Sequence, residues 1–150
     1  MGNKLKGLSG MATSFESRTG RLSCSAAEVY SFVTDIRNME QFIPAGSITI
    51  RKVERESCSF NVTPLGTVNI QLTEKVPNRK VIFSGNALQI NDFSLAININ
   101  GIDNNPAEVG ILLSADMNPV LLIVASDPVK RFLETLITEM EKFDGWKEIR

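Results

Sequence analysis

The residues that could carry chemistry in this chain are few and scattered. It has no histidine, which removes Ser-His and Cys-His nucleophile pairs, the usual zinc ligand sets and the two-His-one-carboxylate iron site. Its cysteines, Cys24 and Cys58, are too far apart to form a redox CxxC pair. Neither GxGxxG nor GxxxxGK occurs, so no phosphate-cradling loop is expected. A general acid or base would have to be Asp, Glu, Lys, Tyr or Cys turned into a cavity. Glu74, Asp92, Tyr30 and Arg37 are the candidates, since they fall near the ends of expected elements, where a side chain reaches the rim of a pocket. Isolated residues of this kind are more often solvated or capping. Cys58 lies in the apolar register of its strand and reads as a buried, inert thiol. No catalytic residue, metal ligand or cofactor is assigned.

What remains is apolar, and its spacing names the elements that would have to position any site. Between Asp127 and Phe143, the residues Val129, Phe132, Leu133, Leu136, Ile137, Met140 and Phe143 recur at the i, i+3, i+4, i+7 spacing of a helix with one buried face. Asp127 is expected to cap it, Pro128 to occupy its first position and Gly145 to close it. Just upstream, Val120 to Val124 is apolar all round and reads as a buried strand or a helix. Asn118-Pro119 in front of it favours helix, with a break at Pro128 giving a bent pair.

Earlier in the chain, Thr13 to Leu22 reads as a first strand with a bend at Gly20. Ser25-Ala26-Ala27-Glu28 is a capping box, so a helix starts at Ala26 and buries Val29, Phe32, Val33 and Ile36. A second short helix runs through Met39 to Ile43 and stops at Pro44. After Gly46 the period changes to two: Ile48 and Ile50; Cys58, Phe60 and Val62; Val68, Ile70 and Leu72; Val81, Phe83 and Gly85; Phe93, Leu95, Ile97 and Ile99; Val109, Ile111, Leu113 and Ala115. Short turns separate these runs: Arg55-Glu56, Pro64-Leu65-Gly66, Pro77-Asn78-Arg79, Leu88 to Asn91 and Asp103 to Pro106. They suit an antiparallel meander and exclude βαβ crossovers.

Bulk properties narrow the class. With 43% hydrophobic and 22% charged residues the chain is ordinary globular material, and a net charge of -1 offers nothing to a phosphate backbone. No run approaches a membrane span, and two cysteines make no disulfide framework. Residues 1–12 read as a flexible leader without the apolar core of a signal peptide, with Met11 an alternative start and Lys6 standing where a myristoylation signal needs Ser or Thr. Residues 13–146 are expected to form a single domain, cytoplasmic and reduced.

Strand, two short helices, a run of strands and a long terminal helix together resemble the helix-grip family, also called START-like or SRPBCC, which includes polyketide cyclases, plant hormone-binding proteins and lipid-transfer domains. The stretch Ser25 to Pro44, Glu74 to Val81 with its Pro-Asn-Arg turn, and Asp127 to Phe143 carry the likeness. The resemblance implies an α+β fold in which a strongly curved antiparallel sheet of about seven strands wraps around the last helix, with two short helices between the first and second strands. It also implies that the space between sheet and helix is a pocket for an apolar small molecule. Its walls would be Phe60, Ile70, Phe83, Phe93, Leu95, Ile97, Ile111, Leu113, Phe132, Leu136 and Met140.

The leading expectation is therefore a non-enzymatic binding or carrier protein for a small hydrophobic or lipid-like ligand, without nucleic-acid partners or stable membrane insertion. A polyketide cyclase- or dehydratase-like enzyme is the second reading, to be recognised by an ionisable group inside the cavity. A protein-interaction module is the third, to be recognised by an exposed apolar patch, for which Val120 to Val124 is the place to look.

Overall fold

The computed structural model describes residues 12–43, 48–62, 66–87, 90–102 and 106–146. The leader up to Met11, the helix stop at Pro44, and Pro64, Leu65, Leu88 and Asp103 of the expected turns lie outside them. The elements are strands β1 (Ala12–Glu16) and β2 (Gly20–Arg21), helix α1 (Ala26–Val33), the 3-10 helix α2 (Ile36–Phe42), strands β3 (Thr49–Val53), β4 (Ser57–Val62), β5 (Gly66–Val76), β6 (Lys80–Ala87), β7 (Ile90–Asn100) and β8 (Glu108–Asp116), and helix α3 (Pro119–Lys142). The strands form one antiparallel sheet in the order β1-β8-β7-β6-β5-β4-β3, with β2 also on β8. The sheet curves around α3, which packs against β1, β2, β8 and α2, while α1 packs on β6 and β7. This is the helix-grip arrangement expected from the pattern of periods.

Local chemistry explains most of the boundaries. Ser25 and Glu28 form the capping box as read: the Glu28 N–H donates to Ser25 Oγ at 3.3 Å and the Ser25 N–H donates to Glu28 Oε1 at 2.9 Å. Pro77-Asn78-Arg79 turns with Asn78 in the left-handed region at φ 62°, and Gly66 opens β5 at φ 78°, a conformation that glycine reaches without a Cβ penalty. On the outer face, small hydroxyl residues stand opposite one another across the central strands, Ser14 with Ser114, Ser114 with Ser94 and Ser94 with Ser84. That is the wet side of the alternation.

Several expectations need correction. The first strand divides into β1 and β2 at a one-residue shift of register against β8, from Glu16 opposite Leu112 to Gly20 opposite Val109; there the Ser17 N–H still donates to the Ile111 carbonyl at 2.9 Å, while the Ser17 hydroxyl accepts the Ile111 N–H at 2.9 Å in place of a backbone carbonyl. Gly20 then brings β2 so near α3 that a Cβ there would sit 2.8 Å from Ile137 Cγ2. Neither Asp127 nor Gly145 caps the last helix. Asn118 does, accepting the Leu121 N–H at 2.8 Å, and Phe143 is the C-cap. The expected break at Pro128 is absent: α3 runs as one helix with Pro128 inside it, so Val120 to Val124 is helical and continuous with the rest. A proline in a helix forfeits one hydrogen bond, and the apolar contacts on both sides of it outweigh that loss.

The core is densest around α1, α2 and the end of α3. Phe32, Phe42, Phe143 and Trp146 stack tilted or edge-on, every ring pair with centroids between 5.1 and 5.9 Å. Such pairs add about 0.5–1.5 kcal/mol each beyond the area that they bury.

Candidate functional site

The concave face of the sheet is built in rows. Pairing sets Phe83 beside Leu95 and Leu95 beside Leu113 across β6, β7 and β8. The next row holds Ile70, Gly85, Phe93 and Ala115. Gly85 is required there, since a Cβ would lie 2.1 Å from the Asn69 carbonyl oxygen and against the Phe93 ring. One row further in the opposite direction, Val81, Ile97 and Ile111 stand side by side and are fully buried.

Between the outer rows and α3 lies a cavity of about 220 Å³. From the sheet come Phe60, Val62, Val68, Ile70, Phe83, Phe93, Leu95, Leu113 and Ala115; from the helix come Ala125, Pro128, Val129, Phe132 and Leu136. The helical set follows the 3-4 spacing of a single face. Ile36, Met39 and Ile43 of the α2 segment, with Ile48 and Met117, complete the wall. Among the described residues, every one that lines the cavity is apolar.

Of the residues expected at the pocket, Phe60, Ile70, Phe83, Phe93, Leu95, Leu113, Phe132 and Leu136 line the cavity, whereas Ile97, Ile111 and Met140 lie in packed core and do not reach it. All share the same inward register. Depth along the sheet separates them, and depth is set by strand pairing. Sequence reasoning missed the contribution of Ile36, Met39 and Ile43, although their spacing of three and four already placed them on one face. Ala125 and Met117 carried no signal of their own.

No candidate acid or base reaches the cavity. Glu74, Asp92 and Arg37 are exposed, and Tyr30 is half-buried against the core. Arg37 instead pairs with buried Asp35, donating from Nη2 at 2.6 Å and from Nε at 2.9 Å, which holds the Asp35 carboxyl below its usual range. Asp35 also accepts the Arg37 N–H and so caps α2. Burial raises both thiols: Cys58, with the Glu40 carboxylate adding to the effect, and Cys24, pushed up to about 12 with help from Glu28. Both stay protonated and poorly nucleophilic at neutral pH. Among the described residues no cluster of His, Cys, Asp and Glu could hold a metal ion.

No protein-family model matches the chain, and no curated protein matches it. Solved structures do. Norcoclaurine synthase from Thalictrum flavum superposes with a TM-score of 0.67 at 9% identity, over 92% of this chain and 89% of that one. A protein from Sulfolobus tokodaii gives 0.62 at 16% identity, over 87% and 91%. The Aha1 dimer from Colwellia psychrerythraea gives 0.58 at 12%, over 86% and 96%. At these identities the likeness shows the fold, and the fold is the helix-grip, START-like one.

Proposed function

We propose that this helix-grip chain is a binding or carrier protein for a small hydrophobic or lipid-like molecule held between the sheet and α3, working in a reducing cytoplasm where Cys24 and Cys58 remain free thiols. The observation that carries this reading is the 220 Å³ cavity, whose described wall is apolar throughout. Left unfilled at ~24 cal/mol per Å³, that space costs about 5 kcal/mol. A typical domain has only about 5–15 kcal/mol of net stability. An apolar guest recovers much of this cost. The volume is below the roughly 300–1,000 Å³ of drug-sized sites, so the guest is compact or is one end of a longer chain. A norcoclaurine synthase structure of the same fold is a complex with dopamine and hydroxybenzaldehyde, which supports small-molecule binding in this architecture.

An enzyme that moved protons here would need a titratable group at the wall, and the described lining offers none. That counts against the cyclase reading. Uptake of the neutral dye N-phenylnaphthylamine tests the proposal. The protein should bind it with an affinity that is flat from about pH 5 to about pH 9, where a buried titratable wall would make it vary. Leu136→Arg or Leu95→Arg should abolish uptake while circular dichroism stays native. Failure of the wild-type protein to take up the dye, together with native mass spectra of protein from its own cells showing no bound species, would overturn it.

A further inference from the structure

Two sets of four aromatic rings stand inside the molecule, and they are employed differently. Phe32, Phe42, Phe143 and Trp146 pack against one another at the dense end. Phe60, Phe83, Phe93 and Phe132 line the cavity, three from the sheet and one from α3, and among the described residues none of them pairs with another ring. Met39 and Met117 belong to the same wall. Ring edges, ring faces and thioether sulfur all favour a further π-system as neighbour. The wall also lacks hydrogen-bonding partners. Its described side chains are apolar, and strands β4 to β8 each have a neighbour on both sides, so their backbone N–H and C=O groups are spent in ladders. The carbonyl freed by Pro128 belongs to Val124, which is 53% exposed and lies outside the wall.

We infer that the part of the guest held in this cavity is an aromatic hydrocarbon moiety, free of hydroxyl, carbonyl and charged groups, with any such group of the guest left outside; the inference rests on the proposed ligand site and names its ligand class. Two effects of opposite sign select that class. A ring placed among four unpaired phenyl groups gains edge and face contacts that a saturated group of the same size lacks, roughly two- to tenfold in affinity for each ring pair. A hydroxyl or carbonyl carried into the same place gives up its water and finds no partner, a loss of roughly five- to a hundredfold. A fatty acid could therefore enter only tail first, and it would forgo the ring contacts. A chain studded with keto groups could not enter without stripping the water from each of them.

Displacement of N-phenylnaphthylamine from the full chain at neutral pH, by guests of similar size, tests the inference. The guests are 1-methylnaphthalene; 1-naphthol, in which a hydroxyl replaces the methyl; and 1-methyldecalin, in which the rings are saturated. 1-Methylnaphthalene should bind at least about tenfold more tightly than 1-naphthol. It should also bind roughly threefold more tightly than 1-methyldecalin, although the latter is the more hydrophobic. Phe132→Leu removes a ring from the wall and should cut this second preference to about half or less. Val68→Thr is nearly isosteric, puts a hydroxyl on the wall and should shrink the first preference at least about threefold. Val62→Thr makes the same change at a less buried lining position, should Val68→Thr fail to fold. Absence of dye uptake in the wild type would remove the cavity reading and this inference with it, whereas dye uptake with the wrong ranking removes this inference alone. The wrong rankings are 1-naphthol or 1-methyldecalin binding as tightly as 1-methylnaphthalene, no displacement by any of the guests, or preferences that neither kind of substitution moves.

Discussion

Ile97 and Leu95 are two residues apart on β7, point to the same face and have nearly the same volume, yet one is fully buried in packed core and the other forms the wall of a cavity. The same contrast recurs on β8 between Ile111 and Leu113 and on α3 between Met140 and Leu136. At the packed end, α1 and the aromatic cluster around Trp146 fill the grip. At the hollow end, the rows of Phe83 and Phe93 face a helix that stands off them. One uninterrupted alternation of apolar residues thus builds a packed region and a hollow one, and what distinguishes them is how closely the other elements fill the space beneath the sheet.

Truncation should expose this difference most strongly. Phe42→Ala, at a fully buried ring in the aromatic cluster, is expected to cost about 3–5 kcal/mol, and Ile97→Ala about 2–5 kcal/mol. Leu95→Ala, whose side chain already borders open space, should cost less than about 2 kcal/mol. Urea denaturation of the three variants checks the order, and equal losses at Ile97 and Leu95 would erase the distinction. Enlargement sharpens it from the other side. Ile111→Phe should overpack its row and lose about 1–3 kcal/mol. Leu113→Phe should leave stability nearly unchanged and diminish dye uptake, because the added atoms occupy the cavity.

A smaller effect concerns how the packed end is fastened. Arg18, in the gap between β1 and β2, donates from Nε to Glu134 at 2.8 Å, from Nη2 to Glu141 at 2.8 Å and to Thr138 at 3.1 Å, spanning two turns of α3. The Arg18 side chain, and then the Arg21 N–H, hold the Glu141 carboxyl below the usual glutamate range. With its folded-state pKa lowered, Glu141 stabilises fully above the ordinary glutamate pKa, and the contribution is lost as pH falls through the folded value. Arg18→Gln should therefore be slightly less stable than wild type at neutral pH, with the difference closing on acidification and shrinking in salt, as denaturation midpoints against pH would show. A constant gap at all pH values would assign Arg18 a packing role instead.

Much of the fold was legible because local signals agreed with one another. The capping box at Ser25, the turn at Asn78 and the change of period after Gly46 each place an element without help from the rest of the chain. Cap positions near Pro128 were misread because Asp-Pro is a persuasive helix start in sequence, and only the apolar contacts of Leu121 and Ala125 carry the helix back to Asn118. The register shift after Glu16 could not be foreseen, since the partners of this strand, Val109 to Leu112, lie far along the chain. The cavity was legible as a face but not as a volume. Ile97, Ile111 and Met140 satisfy every periodic criterion that Leu95, Leu113 and Leu136 satisfy. Trp146 escaped attention because it follows the last helix, yet it is among the most deeply buried side chains.

The last helix is fastened more heavily at one end than at the other. Beyond Pro128 it has Leu133, Leu136, Ile137 and Met140 buried and Arg18 gripping its outer side, whereas before Pro128 only Leu121 and Ala125 are buried. Because proline cannot donate to the Val124 carbonyl, the two parts also lack one backbone tie. On the proposed carrier reading, a guest would leave by the loosening of two turns, an opening much less costly than global unfolding. Residence time would then be uncoupled from fold stability: a variant that weakens the aromatic end would shorten the life of the protein without hastening release of its guest.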